Sequence, residues 1–180
     1  MIDIMIDLET TSTDTKEAGI LQLSAVTFDL GTGEIGETFN RNLTLPSSKR
    51  WSTSTAKWWS KPCRLTILQN QILVNQEDFR TVMQDLASFI RINGAEHFWS
   101  KPSHFDFNIL DHYWREVGIT NPLKYWKARD LRSFLLGLCF PEPIPNLVLR
   151  DSTLAHNALE DTLFQTRELI RIYQENKNGK

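Results

Sequence analysis

The chain opens with Ile2, Ile4, Ile6 and Leu8 at period two, a spacing that fits an extended strand rather than a helix. The same segment carries Asp7 and Glu9. Residues i and i+2 of a strand project from one face, so these two carboxylates stand side by side at its end. Adjacent carboxylates repel unless a cation lies between them, and paired oxygen donors suit hard divalent ions such as Mg²⁺ or Mn²⁺. Taken alone, an Asp-x-Glu pair is ordinary, and most examples are solvated surface. Asp3 projects the same way, but at ~3.3 Å per residue it lies ~13 Å from Asp7 and outside any shared ion site.

The remaining pattern places helices after a hairpin. Residues 20–30 and 34–45 read as strands joined by Gly31-Thr32-Gly33. Beyond Pro46-Ser47-Ser48, Ser54 or Thr55 caps a short helix that carries Trp58 and Trp59 and ends at Pro62. A longer helix starts near Asn75 with Asp78 in its first turn. There Phe79, Val82, Met83, Leu86, Phe89 and Ile90 keep helical spacing until Asn93-Gly94. Residues 97–100 suit a short buried strand, and 105–117 and 131–138 suit helices, the first ended by Gly118. The prolines at 141, 143 and 145 exclude a helix interior there. A last helix spans 157–175, leaving 176–180 as a frayed tail. A hairpin-led sheet followed by helices alternating with short strands predicts a mixed-sheet α/β domain over residues 1–175.

Composition narrows the class. With 180 residues, 41% hydrophobic and 23% charged, the chain fits one globular domain and not a disordered segment. Its longest apolar run, 134–140, is far short of the ~18 residues of a membrane helix. The first residues hold no basic stretch that would read as a secretory signal. Cys63 and Cys139 form no close pair, which points to a reducing, cytoplasmic setting. Net charge is −2, unevenly spread. No acid lies between Glu37 and Glu77, where Arg41, Lys49, Arg50, Lys57, Lys61 and Arg64 give +6 and leave −8 for the rest. Trp51, Trp58 and Trp59 fall in that same stretch. Cations for phosphates interleaved with aromatics for bases is the pattern of single-strand nucleic-acid binding.

Two further segments carry chemistry. In Ser103-His104-Phe105-Asp106-Phe107-Asn108, Asp106 by itself reads as an acid favoured by a helix N-terminus. At the start of the last helix, His156 and Asp161 bring an imidazole and a carboxylate near one helix end. With a pKa near 6.5, an imidazole can take a proton from water at neutral pH.

Each piece is ordinary, but the ordered set is not. Asp7 and Glu9 on a first strand, Asp106 on a mid-chain helix and a terminal His156-x₄-Asp161 resemble the DEDDh branch of the DnaQ-like 3′–5′ exonucleases. The nearest likeness is to the ribonuclease-T-like group that contains the phage exonuclease DexA. The opening Asp-x-Glu-Thr strand, the Trp58-Trp59 helix and the Ser-x-Phe-Asp-Phe segment carry it. Many members place Asn or His four residues before the second aspartate, where this chain has Pro102.

The resemblance implies a ribonuclease-H-like mixed β-sheet flanked by α-helices. It also implies two divalent ions, Mg²⁺ or Mn²⁺, and a nucleic acid with a free, single-stranded 3′ end as substrate, DNA favoured over RNA. Asp7 would bridge both ions, Glu9 and Asp161 would hold one, Asp106 would help hold the other, and His156 would be the general base. Substrate grip would fall to Thr10, Trp58, Trp59 and Phe105, with Lys57 and Lys61 on a phosphate track. Without the four acids the rest of the chain carries +2, a balance suited to a phosphate substrate. Competing readings are an exoribonuclease of the same family, a non-catalytic single-strand-binding module and an endonuclease sharing the acids. A zinc hydrolase using His97, His104 and His112 is disfavoured, because their spacing matches no HExxH-type helix.

Overall fold

Alternation along the first strand, β1 (Ile2–Thr10), divides the molecule into two layers in a computed structural model that describes residues 1–140, 142–143 and 156–178. Ile4, Ile6 and Leu8 face one side. They pack there with Phe79, Val82, Met83, Leu86 and Ile90 of α3 (Phe79–Ile92) and Ile109, Leu110, Tyr113 and Trp114 of α4 (Ser103–Glu116). Met5 faces the other side. Its neighbours are Phe28, Trp99, Leu131, Leu135, Leu169 and Ile172. They come from β2 (Ile20–Asp29), β4 (His97–Ser100), α5 (Leu131–Cys139) and α6 (Ala158–Asn178). Each such side chain contributes roughly 1.5–3 kcal/mol on burial, so the pattern fixes which face is which. Asp7 and Glu9 share the parity of Met5 and therefore stand on the α6 side.

The strands form one sheet in the order β3-β2-β1-β4-β5, with β3 spanning Ile35–Asn42 and β5 Ala128–Asp130. β1 pairs antiparallel with β2 and parallel with β4, and β5 is parallel to β4, which makes the sheet mixed as expected. The carboxyl ends of β1, β4 and β5 therefore share one edge of the sheet, the edge where open α/β sheets place their sites. Gly118 ends α4 at φ +72°. Its N–H bonds to Arg115 O, and that of Ile119 to Trp114 O, as a left-handed C-terminal residue allows.

Several boundaries differ from the sequence reading. The cap of α1 (Thr53–Trp59) is Ser52, whose hydroxyl accepts from Thr55 N–H at 3.1 Å; residues 52–55 are all hydroxylic, so cap chemistry alone did not choose among them. Pro62 starts a helix instead of ending one. It is the first residue of α2 (Pro62–Ile67), where its missing N–H has no helical partner to lose. A π-turn, Leu68–Ile72, continues α2 and buries Ile67, Leu68 and Ile72 against Leu21 and Trp59. The helix expected from Asn75 begins at Phe79, with Asp78 as its cap, accepting from Arg80 N–H at 2.9 Å. β5 was missed because three residues show no periodicity. α6 runs to Asn178, so the frayed tail expected from 176 is helical for three more residues. Of the proline segment, only residues 142 and 143 are described. Among the described residues no helix is long and apolar enough to cross a membrane.

Candidate active site

The site grows from the end of β1. Asp7 lies opposite Ser24 and Glu9 opposite Gln22 on β2. Gln22 Oε1 accepts the Ala158 N–H at 2.8 Å, which ties the first turn of α6 to the strand beside Glu9. His156 precedes that turn at φ +71°, a left-handed conformation that turns the chain back. Its backbone N–H then donates to Asp161 Oδ2 at 2.9 Å. As a result a carboxylate oxygen of Glu9, one of Asp161 and a ring nitrogen of His156 all lie within 4.8 Å of one another.

Asp106 enters from the opposite layer. The chain leaves β4 through a cis Lys101–Pro102 peptide and begins α4, with Ser103 N–H held by Asp130 Oδ2 at 2.9 Å. Asp106 is in the first turn of α4 and is 3% exposed. Burial pushes its carboxyl well above the usual range, and the charge of Asp7 adds to the rise. Glu9 is raised in the same way by burial and then by Asp7, Asp161 and Asp106. Asp7 is pushed up to about 7 by burial and by Asp161, and Asp161 is raised by burial. Four carboxylates thus sit in one another's fields.

Lys101, which that reading missed, adds a half-buried cation that interacts with Asp7, Asp161 and Asp106. One lysine is set against four acids, and carboxylate oxygens are donors that fit Mg²⁺ or Mn²⁺. Burial, aided by Arg64 and Lys101, holds the His156 imidazole below its ordinary pKa although Asp161 pulls it up.

Beside Glu9 a cavity of about 410 Å³ is lined by Glu9, Thr10, Thr13, Ser54, Thr55, Trp58 and Trp59. Trp59 is 2% exposed, and its indole N–H donates to Thr10 O at 3.3 Å, so it is packed as core. Trp58 is half-buried and meets His156 edge-on at 4.6 Å, while the Arg64 guanidinium lies 3.8 Å from its ring centre. Phe105 packs half-buried against the α3/α4 core and does not line this cavity. Lys57 and Lys61 are exposed on and after α1. Asp3 stands apart from the acid cluster, accepting from Trp99 Nε1 at 2.8 Å and lying 3.0 Å from His97 Nδ1. That contact engages His97, and among the described residues His97, His104 and His112 form no cluster of metal donors.

The family model for the 3′–5′ exoribonuclease Rv2179c-like domain matches residues 2–172. The chain belongs to this family. As an Rv2179c-like domain it is a 3′–5′ exonuclease domain. Among solved structures it is similar to the nuclease domain of 3′hExo, a DEDDh family member, bound to rAMP. The identity is 16% and the TM-score 0.69, over 97% of this chain and 92% of that one. It is also similar to cell-death related nuclease 4 (CRN-4), at 15% identity and TM-score 0.65, covering 97% and 64%. E. coli Exonuclease I in complex with a dA16 oligonucleotide gives 13% identity and TM-score 0.67, covering 97% and 42%.

At such identities the likeness is one of fold, the ribonuclease-H-like mixed sheet. The Rv2179c-like chain spans less than two thirds of CRN-4 and less than half of Exonuclease I. No curated protein matches it by sequence. The matches establish the DEDDh exonuclease fold and the Rv2179c-like family, not the DexA group.

Proposed function

We propose that this Rv2179c-like domain removes nucleotides stepwise from the 3′ end of single-stranded RNA, using two divalent ions held by Asp7, Glu9, Asp106 and Asp161. The observation that carries the reading is the convergence of Glu9, Asp161 and His156 within 4.8 Å, beside a cavity of about 410 Å³ that Glu9 itself lines. That volume falls in the ~300–1,000 Å³ range of small-ligand sites. RNA is chosen over the DNA that the phage likeness favoured, because the matched family is described as exoribonuclease and the 3′hExo structure holds rAMP. Kinship with the DexA group remains the DNA-side alternative.

Bound at the carboxylates, such ions would orient and polarise the phosphate and acidify an attacking water. The chain's own groups supply the rest. Neutral near pH 7, because burial lowers its pKa, the His156 imidazole accepts the proton of the attacking water. The imidazolium so formed lies beside the Glu9 and Asp161 carboxylates, which favour its charge. Thr10 backbone and the Trp58 ring hold the terminal nucleotide. Lys57 and Lys61 attract the phosphates behind it, a contribution that weakens with salt. The free, separated Cys63 and Cys139 support a cytoplasmic setting.

The test gives matched 5′-labelled and 3′-labelled RNA and DNA oligomers to the protein with Mn²⁺. A ladder shortening from the 3′ end, faster on RNA, is expected. Internal cutting, 5′ shortening or binding without cleavage would overturn the proposal, and faster loss of DNA would overturn its choice of sugar.

A further inference from the structure

α6 carries Asp161 and, one turn further on, Gln165, so the two side chains leave the helix on one face. That face rests on β1 and β2, where Gln165 is 2% exposed and Thr162 and Thr166 are fully buried. Both threonine hydroxyls bond back into the helix, to Ala158 O at 2.6 Å and to Thr162 O at 2.8 Å. Gln165 reaches outward instead. Its Nε2 donates to Asp7 Oδ1 at 3.0 Å, while its Oε1 is buried without a hydrogen-bond partner among the described residues. The Ser24 hydroxyl, opposite Asp7 on β2, is buried and unpartnered in the same sense.

A buried amide with an unsatisfied oxygen bears a desolvation penalty that an apolar side chain of the same length does not. Packing alone therefore does not account for a glutamine here. What glutamine supplies and methionine or leucine cannot is the N–H to Asp7. Carboxylates that ligate ions are commonly oriented by such outer partners, which fix the rotamer and leave the second oxygen for the ion.

We infer that Gln165 is a positioning residue for Asp7, holding Oδ1 so that Oδ2 is kept for the divalent ion and not lost to other rotamers. The inference rests on the nuclease reading above. It is tested by three single substitutions in the full chain, with Mn²⁺ binding by calorimetry, melting temperature, and kcat and KM on a single-stranded oligoribonucleotide.

Gln165→Met keeps length and volume and removes the donor. It should leave the melting temperature at or above wild type and KM for RNA unchanged, while Mn²⁺ affinity and kcat each fall by ~10–100-fold. Gln165→His, which can donate from a ring nitrogen, should recover most of both. Gln165→Asn draws the amide back by one methylene and should behave as the methionine chain does, which keeps the test open if Gln165→Met does not fold. Wild-type affinity and kcat in Gln165→Met or Gln165→Asn would overturn the inference. Equal impairment of the methionine and histidine chains, as a mere packing defect would give, would also overturn it. A wild-type chain that neither binds Mn²⁺ nor cuts RNA would overturn the nuclease reading and this inference with it. A wild type that does both, matched by Gln165→Met, overturns this inference alone.

Discussion

The backbone N–H of His156 donates to the Asp161 carboxylate at 2.9 Å, across five residues of chain. The main chain therefore holds the Asp161 carboxylate against His156 independently of the imidazole. The left-handed φ of His156 is what lets the N–H turn back to reach Asp161.

Because the main chain makes that bond, replacing the imidazole leaves it in place. His156→Ala should lower kcat by ~10²-fold or more, the size expected for losing a general base. Single-turnover cleavage of labelled RNA checks this, and wild-type turnover would remove His156 from the role.

Asp7 is the carboxylate whose neighbours include both Asp161 and Gln165. Asp7→Ala should abolish cleavage with any divalent ion while the far-ultraviolet circular dichroism stays that of the wild type. Residual cleavage above a tenth of wild type would mean that Asp7 does not hold the ions.

Without divalent ions the acid cluster should make the fold less stable as pH rises. Asp7 is lifted from about 3.8 to about 7, and Glu9, Asp106 and Asp161 move the same way. A carboxyl with a higher pKa folded than unfolded binds more protons in the folded chain. Its stabilisation is thus full below the unfolded value and is lost as pH climbs through the folded one. His156, shifted down, acts in the opposite sense, full above its ordinary pKa and lost on acidification, but it is one group against four. In EDTA the melting temperature should fall between about pH 5 and about pH 8 by at least about 2–4 °C, the effect of ~1 kcal/mol in a domain this size. Mn²⁺ should restore it at the alkaline end. A profile that rises in EDTA would contradict the burial of these acids.

The two adjacent tryptophans should separate cleanly. Trp59→Ala empties a core position and should destabilise the fold by ~3–5 kcal/mol in urea melts. Trp58→Ala should leave the fold standing and weaken single-stranded RNA binding by up to the ~1–3 kcal/mol of one base stack. Unchanged binding in Trp58→Ala would remove Trp58 from the substrate contacts.

What the sequence made legible follows from which signals are local. The period-two run of β1 announces both a buried face and the paired acids, because a strand's alternation is a property of consecutive residues. Asp106, His156 and Asp161 were visible only through their order along the chain, since no local spacing tells a helix-capping acid from one facing a site. The partners that make the site work are long-range. Gln22 bonding to Ala158, Gln165 bonding to Asp7 and Lys101 in the field of Asp7 and Asp161 join elements far apart in sequence. Pro62 misled because proline is equally at home just after one helix and at the first position of the next. For Trp58 and Trp59, about 100° of helical rotation leaves one ring half-exposed and buries the other almost fully in the core, and only tertiary packing decides which.

The central claim is a four-carboxylate, ion-dependent 3′ cut, and chelation followed by rescue tests it most directly. A 5′-labelled single-stranded oligoribonucleotide is incubated with the purified wild-type chain in excess EDTA, and Mn²⁺ is then added beyond the chelator. The account predicts an intact band in EDTA and a ladder of single-nucleotide steps from the 3′ end after the addition. A ladder already formed in EDTA, or an intact strand after Mn²⁺ is in excess, would contradict it.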